Sequence, residues 1–264
     1  MSSMRFRVVT RQGILLSELV GDVERSWTLD EIGRFSAKIS RNSREVTERN
    51  LRFGNLVLIE SDIVQAWGGF IWTPRQWADD VISIEGQSAE ALLKYRIVIN
   101  KPLDPDTHTV TGWVNYLVNE ANQRGDTQIQ IDLSNIEDGG QVFRSLAPWK
   151  LTVYEALNKL AAGTKSSWWL KPVVDSSNNL YFEMFWAKKR HSTGHQIVMS
   201  YSAIPAQDTF LTEDGEIITA VLVIPGTGIM DGVYFQSKNA IDYWGLREGT
   251  YVLGADSASP DFSR

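Results

Sequence analysis

Cysteine is absent from the 264-residue chain. That excludes a disulfide framework, thiolate-held zinc or iron–sulfur centres and a cysteine nucleophile, and it fits folding in a reducing compartment. Histidine is scarce, with three residues in all, so a three-histidine metal site would use the entire supply. There is no excess of basic charge: 26 Lys and Arg stand against 32 Asp and Glu, a net charge of −6 and a pI near 5.2. Acids outnumber bases in both halves of the chain. A protein that grips a phosphate backbone needs a positive surface, so this balance argues against sequence-specific nucleic-acid binding. Long apolar runs are missing too. The longest, Ile217 to Ile224, is interrupted by Thr219 and falls far below the roughly 18 residues of a bilayer span. No apolar block with a small-residue cleavage site opens the chain and no Asn-x-Ser/Thr sequon occurs, so the expectation is a soluble protein without a signal peptide.

What is present suits a globular fold. Apolar residues make up 43% and charged residues 22%, ordinary values, and a chain of this length forms one or two domains burying roughly 70–75% of its unfolded surface. The ten tryptophans are the compositional oddity. They read first as core and interface residues, and second as a carbohydrate-binding platform.

Periodicity divides the chain into a β-unit, a helical middle and a second β-unit, an α+β arrangement. Phe35 to Ser40 alternates apolar and polar, as a half-buried strand does. Arg41 to Asn50 is nearly all polar or charged, a solvated excursion. Gly54-Asn55 opens a short strand, Leu56 to Ile59. Val64 to Trp72 carries Gly68-Gly69, which signals a bulge or a close backbone approach. Val81 to Glu85 is a strand expected to end at Gly86, with Ser88 capping a short helix whose buried side is Ala91, Leu92 and Tyr95. Pro102 and Pro105 then break the chain. Val110, Val114, Leu117, Val118 and Ala121 form the stripe of an amphipathic helix stopped by Gly125. Thr152 to Glu155 is a capping box for a second helix through Ala156, Leu157, Leu160 and Ala161 to Gly163. Trp168 to Val174 and Leu180 to Trp186 flank a five-residue hairpin loop. Ile197 to Tyr201, Ile217 to Ile224 and Val233 to Gln236 complete the strands. Domain edges follow: 1–98 β-rich, 99–165 mainly helical, 166–250 β-rich, 251–264 linker-like.

Chemistry-bearing patterns are weak. His191 and His195 are four apart, but the Ser-Thr-Gly between them is poor helix sequence and no glutamate follows the first histidine; with His108 the only other histidine, solvated loop histidines are the simpler reading. Asp104-Pro105-Asp106 begins like a calcium loop without the later glycine and glutamate. Gly226 to Gly232 resembles a phosphate loop only faintly, since no helix is expected to follow and no lysine is placed to meet a phosphate. Gly86-Gln87-Ser88-Ala89-Glu90 lacks the last glycine of a nucleophile elbow. The acid pairs Asp79-Asp80, Glu137-Asp138 and Glu213-Asp214 read as surface turns, although two facing carboxylates would serve a glycoside hydrolase. The expectation is no catalytic residue, no metal, no cofactor and no enzyme.

The order of segments is more informative than any of these. Gly33 to Ile39 is followed by the polar excursion, then Leu51 to Ile59, Trp67 to Ile71, Val81 to Ser88 and Leu92 to Arg96. Late in the chain come Leu211 to Ile218, a strand to Pro225-Gly226, and Ile241-Asp242-Tyr243-Trp244-Gly245-Leu246-Arg247-Glu248-Gly249. This series resembles the tail hub (tail-associated, baseplate hub) proteins of long-tailed bacteriophages, in which an aromatic-Gly-x-Arg-Glu segment closes the second hub domain; here Trp244 takes the aromatic place. The resemblance spans most of residues 33 to 250, and its weight lies in order, not in any single motif.

The resemblance implies two β-barrel-like hub domains per chain with a helical segment between the β-units. It further implies a homotrimeric ring that continues the tail tube, adapts sixfold to threefold symmetry and lets DNA pass during ejection without specific binding. Implied partners are the distal tail or tail tube protein, the tape measure protein and tip or fibre proteins, at the tail tip of a virion assembled in the host cytoplasm. Relatives often continue into fibre or hydrolase modules, and those functions are not expected of this chain. The alternative is a carbohydrate- or receptor-binding module of a phage tail, using Trp67, Trp72 and Trp77 as platforms.

Overall fold

The computed structural model describes residues 4–26, 31–61, 65–72, 76–77, 80–100, 109–125, 127, 129–137, 141–144, 146–188, 218–225 and 233–253. Three sheets and three α-helices account for most of them. The chain begins with β1 (Met4–Val9), β2 (Leu15–Leu19), β3 (Gly21–Arg25), β4 (Arg34–Ser40), β5 (Leu56–Ser61), β6 (Trp67–Ile71), β7 (Gln76–Trp77) and β8 (Val81–Ser88). These pair in the order β2-β1-β5-β6-β8-β4-β3, with β7 alongside β8. Only Val20 separates β2 from β3, so one nearly continuous strand pairs with β1 at its start and with β4 at its end. The two edges of the sheet are therefore halves of the same segment, and the sheet curls around its own contents.

Those contents follow from alternation. Phe6 and Val8 of β1, Phe35, Ala37 and Ile39 of β4, Val57 and Ile59 of β5, Trp67 and Ile71 of β6, and Ile82 and Ile84 of β8 meet in one buried cluster. Along β5 the intervening residues Leu56 and Leu58 belong to a different core on the other side. A strand buried on both faces reads as an unbroken apolar run, which is how it looks in sequence.

Two expectations about β8 change. Gly86 does not end the strand, which continues to Ser88. Gly86 pairs with Phe35, and a Cβ at Gly86 would lie 2.1 Å from Phe35 Cε1; the glycine is there so that the ring can lie over it. Ser88 precedes a 3-10 helix, Ala89–Tyr95, but makes no side-chain cap; its Oγ accepts from the Gly33 amide at 2.9 Å instead. In a 3-10 helix residues i and i+3 share a face, so Glu90 and Leu93 are buried, while Leu92 and Tyr95 are only partly so.

The middle of the chain supplies α1 (Val110–Arg124), β9 (Ile129–Ile136) and α2 (Val153–Thr164). Thr109 caps α1 by accepting from the Gly112 amide, and the predicted stripe is buried as expected. In α2 the capping box is complete: Thr152 Oγ1 accepts from the Glu155 amide at 3.1 Å and Glu155 Oε2 from the Thr152 amide at 3.0 Å. Such a cap contributes about 1 kcal/mol.

The predicted hairpin is β10 (Ser166–Val174) and β11 (Leu180–Lys188). These strands pair with β9, parallel to β11, and not with the later strands. Helices α1 and α2, this sheet and the outer face of β5 and β6 share one large core, including Trp113, Trp168, Phe182, Met184 and Trp186. Gly68 of β6 marks the closest approach, under Pro172 and Phe182.

The last described part comprises β12 (Ala220–Pro225), β13 (Val233–Gln236), α3 (Lys238–Trp244) and β14 (Glu248–Leu253), with sheet order β13-β12-β14. Segment 166–250 thus divides between two sheets. The predicted strand Ile197 to Tyr201 lies outside the described residues. No described helix is long and apolar enough to cross a membrane.

Candidate functional site

The densest polar chemistry lies where the β12–β14 sheet meets the rest of the molecule, around Arg247 and Glu248. These residues are adjacent at the start of β14. The Arg247 guanidinium carbon sits 3.8 Å from the ring centroid of Phe53, 4.2 Å from that of Trp72 and 5.7 Å from that of Tyr95. Trp72 and Tyr95 are themselves stacked at 4.8 Å and 22°. Planar guanidinium over an aromatic face is a favourable cation–π geometry, worth roughly 0.5–2 kcal/mol per good contact. The backbone of Arg247 is held too, its amide donating to Thr219 Oγ1 at 2.7 Å.

Glu248 enters a second set of partners. Its carboxylate is fully buried and accepts from Arg124 Nε at 2.8 Å, from the Ile97 amide at 2.7 Å and from the Tyr234 hydroxyl at 2.5 Å. Arg124, at the last turn of α1, also faces Glu120 at 3.6 Å and donates to the Ile97 carbonyl. Burial works against charge on Arg124, but the hydrogen bond and charge of Glu248, with Glu120, outweigh it and push its pKa up. Burial, and then the bond to Glu248, push the Tyr234 hydroxyl up as well. Tyr116 is pushed up to about 12 by burial and the nearby Glu120 charge, against the opposing Arg124.

More guanidinium groups complete the junction. Arg96 donates to the Leu246 carbonyl at 2.6 Å, Arg11 to the carbonyls of Ile241 and Asp242 at 2.9 and 3.0 Å, and Arg52 to that of Asp242 at 2.5 Å. Cations fit there because the last carbonyls of a helix such as α3 carry its negative dipole end. A cavity of about 30 Å³ remains between Arg11, Trp72, Arg96 and Arg247, room for one or two waters and not for a substrate. A shallow groove of about 300 Å³ runs beside it, lined by Lys94, Lys150, Thr152, Glu155 and Glu248.

The residues singled out for chemistry fall elsewhere. Ser88 Oγ is committed to Gly33 and to Glu90. Glu90 is buried, accepts from the Leu170 amide at 2.9 Å and so pins β10 to the 3-10 helix; burial raises its pKa. Asp80 and Glu137 are exposed. His108, His191, His195, Asp79, Asp104, Asp106, Asp138, Glu213, Asp214 and Gly226 to Gly232 lie outside the described residues. Among the described residues no group of three or more His, Asp or Glu is placed to hold a metal.

Two of the three tryptophans read as possible platforms, Trp67 and Trp72, are used inside the fold. Trp67 is 5% exposed, inside the first sheet, with Nε1 donating to the Ser26 carbonyl at 3.2 Å. Trp72 serves the Arg247 cage, and the Trp77 side chain lies outside the described set. Trp113, Trp149 and Trp168 likewise donate their ring N–H to Phe143, Ile99 and Asn158. The sequence marks Arg247 and Glu248 as a closing segment without assigning them a role, and nothing local distinguishes Arg124, Arg96, Arg11 or Tyr234 from surface residues.

No family model and no curated protein matches the chain. Among solved structures it is similar to the prophage tail protein gp18 from Listeria monocytogenes, at 12% identity over 94% of this chain and 72% of that one, with a TM-score of 0.40. It is similar to the 43 kDa tail protein of prophage MuSo2 from Shewanella oneidensis, at 10% identity over 97% and 74% with a TM-score of 0.44. A component of the phage P2 baseplate in its activated conformation with Ca gives 9% identity over 99% and 82%, with a TM-score of 0.44.

Proposed function

We propose that this chain is a structural component of a bacteriophage tail, a hub protein at the tail tip, and not an enzyme. The observation that carries the reading is how the ordered segments resembling the hub family are used in the fold. The polar excursion after β4 returns through Gly54, in a left-handed conformation (φ +81°), and Asn55 into β5. Gly68 gives the second sheet its close approach, and Gly86 to Ser88 leads into the 3-10 helix. The Arg-Glu of the closing segment joins the last sheet to the body. Each degenerate motif therefore has a structural task, as a scaffold protein requires.

On this reading the first sheet and the β12–β14 sheet belong to two barrel-like hub domains, with α1, α2 and the β9–β11 sheet between them and the residues after Leu253 as a tail. Three copies form a ring that extends the tail tube, adapts its sixfold symmetry to the threefold tip and contacts tube, tape measure and tip proteins. The acidic balance suits a channel that DNA crosses without sticking, because like charges repel. Light scattering over a dilution series, with negative-stain imaging, tests the reading. It expects three times 29.8 kDa and a ring with a central opening; a monomer at every concentration, with no ring, counts against it.

A further inference from the structure

We propose that the β12–β14 sheet with α3 (218–225 and 233–253) forms a unit that docks onto the body of the protein and undocks from it as one piece, with the arginine-rich junction as a reversible clasp. The inference is independent of the tail reading. It begins with pairing: among the described residues β12, β13 and β14 pair with one another and with no strand of the other sheets. It continues with apolar contact. The buried cluster across the junction is Ile97 against Leu222 and Ile224, with Ile99 and Tyr234 partly buried beside it. By contrast, α1, α2, β10 and β11 share one continuous core with β5 and β6.

What holds the unit is therefore largely guanidinium chemistry, from Arg11, Arg52, Arg96 and Arg124 on the body and Arg247 on the unit. Intrachain interfaces of this polar kind are the ones across which units move, and a buried ion pair roughly breaks even against the water it replaces.

The decisive feature is that the buried charges at the centre of the junction, Arg124, Arg96 and Glu248, each keep a partner on their own side. Arg124 retains Glu120 and the Ile97 carbonyl, both on the body. Arg96 retains the Tyr95 carbonyl at 2.9 Å. Glu248 retains the Tyr234 hydroxyl, on the unit, and becomes hydrated. The Phe53, Trp72 and Tyr95 rings remain on the body as a ready cation-binding cage. Separation thus leaves no unpaired buried charge on either side, which is the usual penalty for breaking such a pair.

Hydrogen–deuterium exchange of the full chain, read by peptide, tests this. The strand amides of the unit are bonded within it, so the reporter is the Ile97 amide, whose acceptor Glu248 lies across the junction. Peptides carrying Ile97 should exchange faster than those of Val110–Arg124 and Ser166–Lys188. Glu248→Gln and, separately, Arg247→Ala should each speed the first group by roughly tenfold or more and leave the second unchanged, which also shows that the variants fold. The proposal is overturned if the two groups exchange at one common rate in the unsubstituted protein. It is equally overturned if the substitutions speed both groups alike, since the junction would then be part of a single cooperative fold.

Discussion

Gly68 on β6 lies directly beneath Pro172 on β10: a Cβ at Gly68 would stand 2.8 Å from Pro172 Cβ and 2.7 Å from Phe182 Cε1. The glycine sets how closely the β10–β11 sheet approaches the first sheet. Pro172 is suited to its place because β10 is an edge strand, where a missing amide costs no ladder bond. Gly68→Ala should destabilise the protein by about 1–3 kcal/mol through overpacking, measured as a lower urea midpoint at unchanged slope. Gly68→Val should cost more.

Arg247 is a test of planar stacking against bare charge. Arg247→Lys keeps the charge but loses the flat contact with Phe53 and Trp72, so stability should fall by roughly 1 kcal/mol. Arg247→Ala should lose more. Tryptophan emission should change in Arg247→Ala because Trp72 loses the cation over its ring, and a spectrum identical to the unsubstituted protein would contradict the cage.

Burial raises the Glu90 pKa above its ordinary value of 4.5. A carboxyl group with a raised native pKa binds its proton more tightly when folded. Its stabilising effect is then complete below the unfolded pKa and is lost as pH rises through the folded one. Glu90→Gln keeps an oxygen to accept from the Leu170 amide and cannot ionise. The melting temperature of Glu90→Gln should therefore exceed that of the parent at neutral pH, and the gap should close as pH falls toward 4.5. A gap that widened on acidification would reverse the assignment.

Elements with one strong local period were legible in the sequence: β4, whose inward Phe35, Ala37 and Ile39 alternate with polar residues; α1, with its stripe; α2, with its capping box; and the β10–β11 hairpin. Residues 4–25 are less legible because Val8 and Val9 are adjacent yet face two different cores, which destroys the alternation. Strand β9 depends on parallel pairing with β11, a partner some fifty residues away in the chain. Strand β7 is two residues long and exists only by pairing with β8. The junction was hidden for a related reason. Arg247 and Glu248 stand side by side in sequence, while the groups their side chains meet come from residues 53 to 124 and from Tyr234. Long-range charge pairing leaves no periodic trace.

Asn55 gives the most local of these tests. It is 5% exposed, and its side-chain amide donates to the carbonyls of Arg49 at 2.8 Å and Asn50 at 3.0 Å. Asn50 in turn donates to the Glu45 carbonyl at 2.7 Å. Through these bonds the polar excursion Arg41 to Asn50 is folded back onto the start of β5 without an apolar core of its own. Asn55→Ala would remove the bond to the buried Asn50 carbonyl and that to Arg49, at a cost of about 1–3 kcal/mol. Asn55→Asp fits the space but turns an acceptor toward acceptors, so it should be at least as damaging. Limited proteolysis provides the local readout: cleavage after Arg41, Arg44 and Arg49 should accelerate in both variants at temperatures where the rest of the fold persists. If the excursion is cut no faster than in the parent, then Asn55 is not what holds it.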